Sequence, residues 1–324
     1  MTGSTRSLKH FSQHAYHLMD LLYALFTDYT LRTVALGAAL LGMVGGSLGS
    51  YAVLRGRSLI GDAVAHAALP GIAGAFLLTG SMNPLVLMLG AGATGLAAAL
   101  LVETTAHTTR VPYDSALALM LSAFFGFGLV LMTYLQRHAG ASQAGLDAFL
   151  FGQAAALVTH DLYVMAGLGG VALATMLLLW KELKLLSFNP DFGRSLGLPM
   201  QLLNGVLTAL LVVAIVIGLR TVGVVLMSAV LIAPAVAARQ WTHQLGAMVA
   251  GAAGIGAATG VAGAVVSASV RNLPTGPTIV LCMGAVVAVS MLVAPERGLL
   301  WRWKRRPAAS PTTRQSSPSP RSNP

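Results

Sequence analysis

Residues 57–78 read RSLIGDAVAHAALPGIAGAFLL, a helix-length apolar stretch that carries Asp62 and His66 four residues apart. On a helix that spacing sets both side chains on one face about one turn apart, so a carboxylate oxygen and an imidazole nitrogen can converge on one small object. A divalent metal ion answers that description, and so does a carboxylate that merely fixes a core histidine. The surroundings weigh on the choice. Ionisable groups at hydrocarbon depth are costly unless paired or hydrated, and there they mark functional sites. Pro70 and Gly71 follow on the same stretch. A proline inside a helix withholds an N–H and frees a backbone carbonyl, so the two residues are read as a helix break beside the polar pair.

The rest of the chain supplies the membrane. Of its 324 residues 56% are hydrophobic and 9% are charged, against roughly a quarter charged in a soluble domain. Thirty-six glycines are spread through Ala-Leu-Val-rich runs, the composition of helices that pack backbone against backbone in a bilayer. The runs have the length of roughly 20 residues that a helix needs to cross the hydrocarbon, not the short alternation of a β-barrel. The fold class is therefore all-α: a polytopic transmembrane helical bundle of eight to ten spans, with nine the best count. The net charge of +10 comes from residues at segment ends and in the tail. That distribution fits membrane topology and gives no basic patch for nucleic acid. The single cysteine, Cys282, sits in an apolar run and reads as packing.

Three domains are expected. Residues 1–27 place His10, His14 and His17 at helical spacing, the polar face of an amphipathic surface helix; residues 28–296 form the transmembrane domain; residues 297–324 are a basic then Pro/Ser/Thr-rich, disordered tail. Spans are expected near Leu31–Leu54, from Arg57 through Leu78, Pro84–Val102, Asp114–Tyr134, His160–Trp180, Met200–Leu219, Val222–Ala238, His243–Ser269 and Thr275–Ala294. Residues 136–159 read as a short or re-entrant element. Glu103 and His107, again four apart, fall at a span end and read as a solvated interfacial pair. Asp114 and Asp161 read as helix caps. With a cytoplasmic C-terminus, alternation puts every Lys and Arg inside except Arg6, Lys9, Arg32, Arg137, Arg220 and Arg271, in keeping with the positive-inside rule.

The segment LSFNPDFGRSLGLP, residues 186–199, interrupts the apolar pattern with turn residues. Asn189-Pro190 signals a helix start and Gly197 with Pro199 a stop, which predicts a helix of about two turns clear of the bilayer. A protruding short helix is a docking handle. As for chemistry, Asp and His offer one hard oxygen and one nitrogen, suited to Mn²⁺, Zn²⁺ or Fe²⁺, and no paired cysteines select copper. Two ligands suit an ion that must be released. The chain contains no H-E-x-x-H, no G-x-S-x-G with a companion triad and no G-x-x-x-x-G-K-[ST], so transport energy has to come from an ion gradient or from another subunit.

The strings LRGRSLIGDAVAHAALPGIA, FLFGQAAALVTHDL, FNPDFGRSLGLP, TVGVVLMSAVLIAPAVAARQ and NLPTGPTIVL, in that order, resemble the permease subunits of bacterial ABC importers for manganese, zinc and iron, closest to the manganese-type branch. The likeness runs from about Asp28 to Pro295. It implies a chain that is not itself an enzyme, seated in the bacterial plasma (inner) membrane. Implied partners are ABC ATPase subunits, an extracytoplasmic metal-binding protein, a second permease copy or paralogue, and membrane lipid. No permanently bound cofactor is implied, only a transported Mn²⁺, Zn²⁺ or Fe²⁺. The family's G-D-A-x-x-H-A motif carries the metal-handling role over to Asp62 and His66. Its cytoplasmic coupling segment carries ATPase docking over to Asp191, Phe192, Arg194, Ser195, Leu196 and Gly197. Two departures stand out: Ala65 replaces the family's usual serine before the histidine, and Tyr113-Asp114 replaces an acidic pair. An ion-coupled secondary metal transporter and a membrane metallohydrolase are the alternative readings.

Overall fold

The structure, a computed structural model, describes residues 28–138, 152–154, 157–270 and 273–294. The N-terminal segment, the tail from residue 297 and most of the re-entrant expectation at 136–159 lie outside the described residues. Eleven helices are described: α1 (Tyr29–Leu54), α2 (Ile60–Thr79), α3 (Pro84–Thr108), α4 (Tyr113–His138), α5 (Thr159–Leu178), α6 (Trp180–Phe188), α7 (Pro190–Ser195), α8 (Met200–Leu219), α9 (Val224–Arg239), α10 (Leu245–Ser269) and α11 (Thr275–Val293). No strand is present among the described residues.

Eight of these helices are long and apolar enough to cross a membrane. The ninth expected span, α9, has only 16 residues, about 24 Å at 1.5 Å per residue and short of a typical hydrocarbon core. Gly223, at φ 88°, starts it, and Pro234 lies within it. Local signals set the other boundaries well. Asp28 caps α1 by accepting from the Thr30 and Leu31 amides, and Asn83 caps α3 ahead of Pro84. Gly80, at φ 62°, closes α2 in the left-handed conformation.

Burial sorts the helices into two groups. α1, α2 and α8 are mostly enclosed, whereas α4, α5 and α11 turn most of their surface outward, with side chains such as Val171, Leu178 and Leu281 fully or largely exposed. In an aqueous fold such a surface would be unstable; against lipid it costs nothing. The enclosed helices α1 and α2 meet their neighbours at glycine. A Cβ built on Gly42 of α1 would lie 2.1 Å from the Gly256 carbonyl oxygen of α10, and one on Gly71 of α2 would lie 2.1 Å from that of Gly90 on α3. Any side chain there would force the helices apart, which explains the Gly-rich sequence. α2 is thereby set among α3, α4, α8 and α9.

The expected helix break at Pro70 and Gly71 takes a milder form. α2 continues as helix through both residues, and the interruption reduces to the one N–H that Pro70 cannot offer to the carbonyl of His66, four residues earlier. Gly71 is needed for the close approach to α3.

Candidate metal site

Asp62 falls in the first turn of α2, where free backbone N–H groups and the helix dipole favour a carboxylate. Leu59 at the N-cap contributes no side-chain bond. His66 stands one turn further on, and its Nε2 lies 3.5 Å from Asp62 Oδ1. That separation is too long for a strong hydrogen bond, so the two donors stand side by side without saturating each other. The Asp62 side chain is 36% exposed and that of His66 17%, which leaves the carboxylate reachable while the imidazole is held. Phe125 of α4 does the holding, edge to face, with ring centroids 4.8 Å apart. The other imidazole nitrogen, Nδ1, is buried and has no hydrogen-bond partner among the described residues. Ala65 is fully buried in the core, so the position that differs from the family pattern faces packing and not solvent. No group of three or more His, Cys, Asp or Glu side chains comes together among the described residues.

Five residues before Asp62, a denser polar cluster joins the α1–α2 connector to three other helices. Arg57 reaches Glu103 of α3 through two bonds, Nη1 to Oε2 at 2.7 Å and Nη2 to Oε1 at 3.2 Å. Its guanidinium also lies 4.5 Å from the centre of the Tyr113 ring at the start of α4. Asn204 of α8 accepts from both Arg55 and Arg57. Burial, reinforced by the neighbouring Arg57 charge, brings the Arg55 guanidinium down to about 10, which leaves it cationic at neutral pH. His107 bonds Glu103 at 3.1 Å from an exposed position. Glu103 is therefore no solvated interfacial group: its side chain is 16% exposed and is claimed by an arginine 46 residues away. Only His107 behaves as the spacing predicts. Asp114 lies inside the first turn of α4, not at its cap.

The 186–199 segment folds much as its turn residues dictate. Asn189 Oδ1 accepts from the Phe192 amide at 3.1 Å, Pro190 opens α7, and Gly197 at φ 77° ends it. The helix has six residues, a little less than the two turns expected. Asp191, Phe192, Arg194, Ser195, Leu196 and Gly197 are all exposed, with Arg194 bonded back to Asp191 at 2.8 Å. Gly193 alone faces inward: a Cβ there would fall 1.7 Å from Met200 Cε at the start of α8. The segment thus presents an apolar and charged outer face on a base clamped to a membrane helix.

At the opposite end of the bundle Asp161 does cap α5, accepting from the Val158 amide. Its buried carboxylate also forms an ion pair with the partly exposed Arg220, at the end of α8, which sequence alone does not reveal. Cys282 is free and half-buried.

The model of the ABC 3 transport family matches residues 27–294. The chain is 47% identical over 289 residues to the zinc transport system membrane protein TroC of Treponema pallidum, covering 89% of this chain and 97% of that one. It is 44% identical over 279 residues to the manganese transport system membrane protein MntC of Bacillus subtilis, covering 84% of this chain and 64% of that protein. The solved structure of PsaBC from Streptococcus pneumoniae in complex with Fab is similar with a TM-score of 0.77 at 28% identity, covering 89% of this chain and 99% of that chain. With its apolar helix bundle and its family match across the whole of that bundle, the chain belongs to the ABC 3 transport family, as a multi-pass permease of the plasma membrane and not an enzyme in its own right.

Proposed function

We propose that this permease imports a divalent transition-metal ion past Asp62 and His66, driven by separate ATPase subunits that dock on residues 191–197. One observation carries the reading: an oxygen and a nitrogen donor stand 3.5 Å apart on one face of an enclosed helix, unsaturated and still reachable. Two donors bonded at about 2.1 Å to one ion, at angles of 90–110°, stand roughly 3.0–3.4 Å apart. The pair needs only a few tenths of an ångström of adjustment to chelate. Water, the His66 carbonyl left without the Pro70 N–H, and the equivalent groups of a second permease copy are the sources for the remaining ligands. A sparse shell favours passage over storage. The donor set fits Mn²⁺ or Zn²⁺, the metals in the names of the similar proteins, with Fe²⁺ as the third candidate.

The rest of the reading rests on the family to which the chain belongs. An extracytoplasmic metal-binding protein delivers the ion, the permease pairs with a copy or a paralogue, and its C-terminus lies in the cytoplasm with the docking segment. A metallohydrolase would need a third ligand or a general base beside the pair, and none accompanies it among the described residues. The test is uptake of radioactive Mn²⁺ or Zn²⁺ by proteoliposomes holding permease, ATPase and binding protein. ATP-dependent uptake that vanishes in Asp62→Ala and His66→Ala, with the complex still assembled, is the expected result; normal uptake by both variants would remove the pair from the path.

A further inference from the structure

Between the docking segment and the metal pair runs a continuous set of contacts. Gly193 of α7 is pressed against Met200, the first residue of α8. One turn along α8, Asn204 accepts from Arg55 and from Arg57, the latter at 3.3 Å. Arg57 is bound in turn to Glu103 of α3, and its carbonyl accepts from the amide of Ile60, the first residue of α2. Asp62 follows within that turn. Two guanidinium groups sharing one neutral amide oxygen cannot follow α8 independently, so a shift of its first turn must drag the α1–α2 connector or break these bonds. Arg57, with its planar fork fixed on Glu103 and its face on Tyr113, holds one orientation where a lysine would swivel.

We infer that Arg55, Arg57, Glu103 and Asn204 are the link through which movement of the 191–197 segment reaches Asp62 and His66. Arg57 acts as a positioning residue that touches no metal. The inference rests on the functional reading above, since it presupposes an ATPase docked on that segment.

The experiment uses the complete reconstituted complex and reads metal ions moved per ATP hydrolysed. Asn204→Leu, which keeps the volume and removes the acceptor, is expected to lower that ratio about tenfold while the ATPase rate and assembly stay near wild type. Arg57→Glu alone does the same or more, and Arg57→Glu combined with Glu103→Arg recovers at least half of the loss on the logarithmic scale. A wild-type ratio in Asn204→Leu overturns the link. So does a double variant no better than Arg57→Glu, or a fall in ATPase rate that matches the fall in transport. If Arg57→Glu fails to assemble, Asn204→Leu decides by itself. A wild-type complex that moves no metal would instead defeat the functional reading.

Discussion

Two acid–base pairs, begun by Arg57 and by Asp62 five residues on, differ in almost every physical respect. Arg57 comes from the α1–α2 connector and Glu103 from α3; they make two bonds of 2.7 and 3.2 Å and have further partners in Asn204, His107 and the Tyr113 ring. Asp62 and His66 come from one helix, stand 3.5 Å apart, and leave an imidazole nitrogen without a partner. The first pair is electrostatically complete and ties helices together. The second is incomplete, which is the state of a site that waits for a ligand. Polar groups in an apolar bundle are thus sorted by how well their bonding capacity is met, and not by charge type alone.

The contrast is broken most sharply at the incomplete pair. Asp62→Ala or His66→Ala is expected to reduce uptake to background; Asp62→Ala should change unfolding stability by less than about 1 kcal/mol, because little bonding is lost, and His66→Ala by about 1–2 kcal/mol, because the ring also gives up its contact with Phe125. The third pair supplies the opposite extreme. Asp161→Ala removes a buried carboxylate that holds both Arg220 and the Val158 amide at the start of α5, which should cost about 3 kcal/mol in thermal or denaturant unfolding. Glu103→Gln falls between: its partner keeps Asn204 and some solvent contact, so the loss should be about 1–3 kcal/mol. Either of these variants being as stable as wild type would contradict the view that complete pairs are structural. The smallest effect belongs to Phe125→Leu, which frees the His66 ring. Loss of an edge-to-face contact of about 1 kcal/mol should raise the half-saturating metal concentration for uptake roughly fivefold, with maximal uptake preserved.

Much of this arrangement is legible in the sequence, and the reason is local. Span boundaries at Asp28, Asn83 and Gly80, and the short α7 between Asn189 and Gly197, follow from caps and turn residues within a few positions. The Asp62–His66 pair is legible because helical periodicity alone brings the two together. What escapes is set by distance along the chain. Glu103 forms its main bond 46 residues away and Asp161 forms its own 59 residues away, so the first reads as solvated and the second as only a cap. α9 differs for another reason: its apolar run between Gly223, at φ 88°, and Gln240 reads as a span but supplies only 16 helical residues. Pro70 misleads because packing holds α2 helical through a residue that would break an isolated helix.

The central claim is that the incomplete pair binds the transported ion directly. Pulsed electron paramagnetic resonance of Mn²⁺ added in excess to the purified permease measures this through nitrogen modulation from a bound imidazole. The account predicts a ¹⁴N signal in the wild-type protein that disappears in His66→Ala and weakens in Asp62→Ala as affinity falls. A ¹⁴N signal that persists unchanged in His66→Ala, or its absence from the wild-type protein at saturating Mn²⁺, would contradict it.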